Sequence, residues 1–226
     1  MKRLPRVWVT RAEPGAGETA ARLRLLGYEP LVTPLLAIRP IAQAAPELDG
    51  VGALIFTSRN GVDAFARLCT GGRRLPVFTV GAATAEAATV AGFVDVRSAD
   101  GDVADLARLL ERAAPAGGRL LAPGAAQPAG DFAALLPGSM RVERLPVYEA
   151  VETGASSPSA FAGVLVHSPR AGRALARRGP FSGGTAVAIS AAAAEALGAS
   201  GFEIRLAARP DEPSLLAALG KAVPPV

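Results

Sequence analysis

The sequence predicts an α/β fold made of two similar parallel-sheet domains, and three observations carry that expectation. First, an apolar strand runs through a short polar turn straight into a helix at Gly52 to Leu68, GALIFTSRNGVDAFARL. Ala53 to Phe56 read as a buried strand, and Val62, Phe65, Ala66 and Cys69 recur at helical spacing. Second, the pattern returns at Gly163 to Arg177, GVLVHSPRAGRALAR, with Val164 to Val166 as the strand. There His167-Ser168-Pro169-Arg170 stands where the first copy has Thr57-Ser58-Arg59-Asn60. Third, each copy leads into a further strand and a small-residue helix, from Val77 and from Ala186. Ala85-Glu86-Ala87 answers Ala194-Glu195-Ala196, Gly92-Phe93 answers Gly201-Phe202, and Asp102 and Leu106 answer Asp211 and Leu215, all at a spacing of about 110 residues. That is an internal duplication.

In chain order, Val7-Trp8-Val9-Thr10 reads as a strand and Arg11 to Gly15 as a turn. A helix follows from about Gly17 to Leu26, with Ala20, Leu23 and Leu26 on one face and Gly27 as its stop. Tyr28 to Thr33 is the returning strand, so the unit is βαβ and its sheet parallel. Leu35 to Ile41 is apolar and extended, and Pro34 and Pro40 confine it to a sheet edge or a connector. The second copy of this unit has Arg119 to Gly124 as strand and turn, a helix from about Asp131 to Leu136, and a return strand from Arg141 to Leu145. It too runs through a proline, Pro146, into Val147 to Val151. The two proline-marked segments thus hold the same place in each repeat and read as a paired connector. Glu152 to Pro158, ETGASSP, has the composition of a linker.

At 226 residues, half of them apolar, the chain has enough material for a sizeable core. No apolar run reaches membrane-spanning length and no signal-type segment opens the chain, which predicts a cytoplasmic protein without a membrane partner. The single cysteine, Cys69, excludes an internal disulfide, argues against a metal cluster and reads as a small buried hydrophobe. The formal charge of +4 is carried almost wholly by arginine, since Lys2 and Lys221 are the only lysines. Arginine's planar fork suits carboxylate and phosphate, which points to an anionic small ligand, although a general bias toward Ala, Arg, Gly and Pro explains the composition equally. Nucleic acid is disfavoured because the basic residues are scattered and only 5% of residues are aromatic.

A polar turn between the carboxyl end of a strand and the amino end of a helix is where open α/β sheets bind ligands. Thr57 to Asn60 form such a turn, and Ser58 or Asn60 also suits plain helix capping. His167 is the only histidine, and the sequence has no metal-ligand spacing, no Ser/His/Asp set and no glycine-rich nucleotide loop.

VTR near the start, LIFTSRNGV, TVGAATAEA, LPVYEAV, VLVHSPRAG and Pro213-Ser214-Leu215-Leu216, in this order and spacing, resemble uroporphyrinogen-III synthase over essentially the full length. The resemblance implies two flavodoxin-like domains joined by a two-stranded β ladder, with linker strands near residues 35–41 and 147–151. One domain comprises 1–36 with 150–226 and the other 37–149, and the paired connector predicts that the two lobes hinge. The implied reaction needs no cofactor and no metal. Hydroxymethylbilane, a linear tetrapyrrole bearing an acetate and a propionate on each ring, loses its ring A hydroxyl as water. Ring D attacks at its substituted position, and a spiro intermediate rearranges so that ring D is inverted on closure. Pyrrole nitrogens supply the electronic push, so the protein's task is to fold the chain and favour the inverting closure.

The resemblance places Tyr148, in Val147-Tyr148-Glu149, as the residue that helps the hydroxyl leave, although a connector aromatic packs equally well. Substrate carboxylates are expected on turn residues Thr57, Ser58, Arg59, Asn60, Gly81, Thr84, Ser168, Arg170, Ser190 and Ala191, and on Arg11. His167 reads as a polar residue ending a strand. The partners so implied are a small-molecule tetrapyrrole only, with a monomeric chain and room for a transient contact with the preceding pathway enzyme. Two departures from the family pattern stand out. Ala192 and Ala193 replace a pair of threonines, and Leu121-Ala122-Pro123-Gly124-Ala125 replaces a charged or glycine-led turn. A catalytically weak paralogue and a two-lobed ligand-binding or sensor protein are therefore alternatives. A flavodoxin-type electron carrier is poorer, for want of aromatics to stack a flavin.

Overall fold

The computed structural model describes residues 4–128, 130, 132–138 and 140–221. The chain divides into two compact units, Met1–Ala37 with Val151–Val226, and Ile38–Ala150.

In the first unit β1 (Arg6–Val9), α1 (Gly15–Leu25) and β2 (Glu29–Val32) open the chain. β9 (Gly163–Val166), α5 (Pro169–Ala176), β10 (Thr185–Ala188), α6 (Ala191–Ala194), β11 (Glu203–Leu206) and α7 (Glu212–Leu219) complete the unit. The sheet runs β11-β10-β9-β1-β2 and every pairing is parallel. Counted by appearance within the unit, its strands lie in the order 2-1-3-4-5, the doubly wound order of flavodoxin. Alternation along each strand feeds two cores. Trp8, Val164 and Val166 pack against Ala171, Leu175 and Ala193 on one face, while Val7, Val9 and Leu165 pack against Ala16, Leu23 and Leu215 on the other. Trp8 is fully buried, donates its indole N–H to the Thr33 carbonyl at 2.8 Å, and lies edge-on to Phe161 at 5.3 Å between ring centres. The ring is thus fully wrapped with its one polar atom satisfied, as a buried indole requires.

The second unit contains β3 (Leu36–Pro40), which begins at its boundary, β4 (Val51–Phe56), α2 (Arg59–Leu68), β5 (Val77–Thr79), α3 (Ala82–Val90) and β6 (Val96–Ser98). α4 (Val103–Ala113), β7 (Arg119–Ala125), a 3-10 turn (Phe132–Leu135) and β8 (Val142–Glu152) follow. The order β3-β8-β7-β4-β5-β6 contains the same five-strand arrangement as the first unit, β8-β7-β4-β5-β6, but entered at a different strand. The two sheets are therefore circular permutations of one another, and β3 is an extra edge strand beside β8, hydrogen-bonded through Ile41 N–H to the Val147 carbonyl at 3.0 Å. Leu54, Phe56 and Leu121 meet Val62 and Phe65 on one face; Ala53, Ile55 and Leu120 meet Leu106 and Leu110 on the other.

Several elements depart from the pattern read in the sequence. The helix expected from Asp131 to Leu136 is a single 3-10 turn that buries nothing, because Phe132-Ala133-Ala134-Leu135 is too short to sustain a helix; Asp131 itself lies outside the described residues. The small-residue helix after β10 is likewise only one turn, Ala191–Ala194, continued as a 3-10 turn. The return strand and the proline-marked segment it runs into, Arg141 to Leu145 and Val147 to Val151, form one long strand, β8, from Val142 to Glu152. Thr153 in the linker-like segment is tied down, its N–H bonding the Leu35 carbonyl at 3.1 Å and its hydroxyl the Pro34 carbonyl at 2.7 Å. Cys69 is buried in the core beside Phe65, at the carboxyl end of α2.

Candidate functional site

The sequence-predicted site residues fall into two groups, one in each unit. In the second unit they lie at the carboxyl ends of β4 and β5 and, for Tyr148, opposite the last residue of β7. Ser58 has extended backbone, φ −157°, and its Oγ accepts the Gly61 N–H at 3.2 Å, so it is the N-cap of α2. A Cβ on Gly61 would lie 2.9 Å from the Pro123 carbonyl oxygen, so only glycine lets the first turn of α2 settle this closely on β7. Ser58 Oγ also lies 3.0 Å from the Tyr148 Oη. The predicted catalytic tyrosine and one predicted turn residue are thus in direct hydrogen-bond contact. Thr57 is exposed beside them, and Arg59 and Asn60 are half-buried in the first turn.

Tyr148 reaches Ser58 because β8 carries an extra residue at this point. Gly124 pairs with Pro146 but Ala125 with Tyr148, so Val147 is skipped and the ladder shifts register. Pro146 has no N–H to give the ladder, and the resulting bulge turns Tyr148 into the same core as Val147 rather than to the opposite face. The ring is 8% exposed. Gly81 caps α3 without a side chain, and Thr84 is buried with its N–H on the Gly81 carbonyl at 3.0 Å. These residues frame the amino end of α3.

In the first unit Ser168 caps α5 through the Ala171 N–H at 3.1 Å, and Ser190 caps the one-turn α6 through the Ala193 N–H at 3.3 Å. Pro169 occupies the first position of α5, so this turn offers one N–H fewer than its counterpart at Arg59. Arg170 is half-buried in the same first turn, and Ala191 and Ala192 are exposed.

Arg11 belongs to an ion-pair network that the sequence did not announce. Its guanidinium donates to Glu212 Oε2 at 2.5 Å, while Glu212 Oε1 accepts from the Thr19 hydroxyl at 2.6 Å and pairs with Arg22 at 3.0 Å. The Glu212 carboxylate is 11% exposed and takes all three. Within range of the Arg11 charge, both imidazole nitrogens of His167 are closed off from solvent without a hydrogen-bond partner, and burial together with that charge drives its pKa down to about 3. His167 is neutral at pH 7. Only the doubled carboxylate position after the capping Asp211 hinted at the network.

A pocket of about 530 Å³ also opens in the second unit, lined by Ile55, Thr57, Val103, Gly124, Phe132 and Arg144 among others. Of these lining residues only Thr57 is among those the sequence predicts to meet a ligand. Among the described residues no group of three His, Cys, Asp or Glu is placed to hold a metal, and no helix is long and apolar enough to cross a membrane.

The family model of uroporphyrinogen-III synthase HemD matches residues 17–217. No curated protein matches the chain. The fold is similar to that of uroporphyrinogen-III synthetase from Helicobacter pylori, with 17% identity over 96% of this chain and 97% of that one and a TM-score of 0.66. A mutant uroporphyrinogen III synthase from the extreme thermophile Thermus thermophilus is similar with 19% identity over 96% of this chain and 90% of that one, at a TM-score of 0.55. The permuted pair of parallel sheets and a family match running almost from end to end place this chain in the uroporphyrinogen-III synthase family, the cyclising hydro-lyases of tetrapyrrole biosynthesis.

Proposed function

We propose that this chain closes hydroxymethylbilane to uroporphyrinogen III with Tyr148 as the proton donor to the departing ring A hydroxyl and Ser58 as the group that sets the phenol. The observation that carries the assignment is the 3.0 Å contact between Ser58 Oγ and Tyr148 Oη. Ser58 Oγ already accepts the Gly61 N–H, so its own proton is available to Tyr148 Oη. With Oη accepting from Ser58, the phenolic proton is left to point at a leaving hydroxyl, and the same bond steadies the phenolate once the proton has gone. The amino ends of α2 and α3 supply main-chain donors for substrate carboxylates, with Thr57, Arg59, Asn60, Gly81 and Thr84 around them. Arg170, Ser168, Ser190 and Ala191 provide the equivalent turns of the first unit, while Arg11 enters through the network on Glu212. Because main-chain donors carry this reading, alanine at 192 and 193 does not remove it. The enzyme works in this reading as a cytoplasmic monomer that meets the preceding pathway enzyme only in passing.

The test is product analysis. The purified chain is incubated with hydroxymethylbilane, the products are oxidised to porphyrins, and isomers I and III are separated. Isomer III in excess, with a slower rate for Tyr148→Phe, is the expected result. Isomer I alone, formed at the spontaneous rate, rejects the enzyme, and tight binding under those conditions would mark a binding protein instead.

A further inference from the structure

The two units are built on one plan, and at one place in that plan they differ sharply. Aligning the capping serines, Ser168 with Ser58, and following the strand pairings matches Trp8 with Leu121, and hence Arg11 with Gly124. The capping aspartates match Asp211 with Asp102, and hence Glu212 with Val103. In the first unit this place is filled by the Arg11–Glu212 ion pair with Thr19 and Arg22, and roofed by the eleven-residue α1. In the second unit glycine and valine replace the ion pair, and a 3-10 turn replaces the helix. What remains is the pocket of about 530 Å³.

We infer that this vacated position is a binding subsite for a single pyrrole ring carrying an acidic arm, with Arg144 as the residue that selects the carboxylate. This rests on the function proposed above. The volume lies in the range of small-ligand sites, roughly 300–1,000 Å³. The walls are chiefly apolar, from Ile55, Val103 and Phe132, and suit the faces of a flat heteroaromatic ring. Among the described residues Arg144 is the one charged residue of the lining, and no carboxylate pairs with it. An unpaired guanidinium at the edge of an apolar pocket matches a ligand with an apolar body and one carboxylate end. The lining also reaches toward the Tyr148 site along the chain, since Thr57 precedes Ser58 and Pro146 stands two residues before Tyr148. Gly124 marks the floor, and a Cβ placed on it meets no atom within 4 Å, so the emptiness extends to the backbone itself.

The test measures binding of a monopyrrole bearing one acetate and one propionate to the full chain by calorimetry, with unsubstituted pyrrole as the control. Three variants are compared. Arg144→Met removes the charge, Gly124→Leu fills the floor, and Val103→Glu restores the first unit's carboxylate. Each is expected to weaken binding at least tenfold while leaving the thermal midpoint within a few degrees of the parent, and unsubstituted pyrrole is expected not to bind. Undiminished binding in Arg144→Met and Gly124→Leu, or no binding to the parent chain, overturns the subsite. The isomer assay on the unaltered chain reports separately on the reaction, so loss of the subsite with isomer III still formed, and binding without isomer III, are distinct results.

Discussion

Ser58 Oγ stands 3.0 Å from Tyr148 Oη while it also caps α2, so one hydroxyl ties the phenol to the first turn of a helix. Ser58→Ala removes both roles, whereas Tyr148→Phe removes only the phenol. The cap is worth about 1 kcal/mol and its loss lowers the urea midpoint. Tyr148→Phe is expected to leave that midpoint nearly unchanged and to reduce kcat for isomer III at least about tenfold, within the range of a modest general acid. Equal activity losses accompanied by equal stability losses in both variants would assign the pair to packing alone.

Glu212 holds two arginines and a threonine from a site with little solvent. Glu212→Gln keeps the shape but withdraws the charge, leaving Arg11 and Arg22 facing each other. Because Arg22 is half exposed, with a side chain 51% accessible, it is partly rescued by water, and the expected loss is about 2 kcal/mol rather than the larger cost of a fully buried pair. Urea unfolding with an unchanged m-value checks it, and a loss below about 0.5 kcal/mol would show that the network is merely a solvated surface cluster.

His167 makes folding sensitive to mild acid. Its folded-state pKa is about 3 against 6.5 for the free side chain, so between those values the unfolded chain binds more protons than the folded one. The stabilisation is therefore intact above about pH 6.5 and is lost as pH falls toward 3. Between pH 7 and pH 5 the contribution is about 2 kcal/mol, and His167→Gln is expected to flatten the stability profile by that amount. Parallel profiles for the two proteins in urea titrations at both pH values would contradict it. Asp105 and Asp211, held below the usual carboxylate range mainly by cap hydrogen bonds, act only further down in pH.

Gly172 lies where α5 meets α6, and a Cβ there would sit 2.2 Å from the Ala193 carbonyl oxygen. Gly172→Ala is expected to cost about 2 kcal/mol, because two backbones must part to admit one methyl. Gly124→Ala, facing open space, is expected to be neutral within about 0.5 kcal/mol. A reversal of that order in thermal melts would show that the α5–α6 approach is looser than the geometry describes.

The parts of this fold that were legible in the sequence are those where a single residue type leaves little choice. Buried parallel strands such as Val164-Leu165-Val166 must be apolar throughout because both faces are covered, and a serine before a helix announces its cap. The duplication could be read because Ser58 and Ser168, or Asp102 and Asp211, perform the same capping task in each copy. The bulge that delivers Tyr148 was not legible, since it depends on how Pro146 meets Gly124 in a neighbouring strand. Nor was the Glu212 network, whose partners lie roughly 190 to 200 positions away in the chain. The pocket escaped notice for a different reason: it follows from a helix that the second copy fails to form, and short alanine-rich stretches look helical until packing is withheld.

β1 is an interior strand of its sheet, flanked by edge strand β2 and by the central β9, and β9 begins only at Gly163. During synthesis the opening strand therefore emerges long before its second neighbour exists, while the whole of the inserted unit, Ile38–Ala150, leaves the ribosome in between. Translation thus delivers a complete inner unit before the outer sheet has the strands to close, and the nascent amino-terminal strand-helix-strand unit must wait with the edge of β1 bare, a window in which a chaperone or a neighbouring chain has its best access.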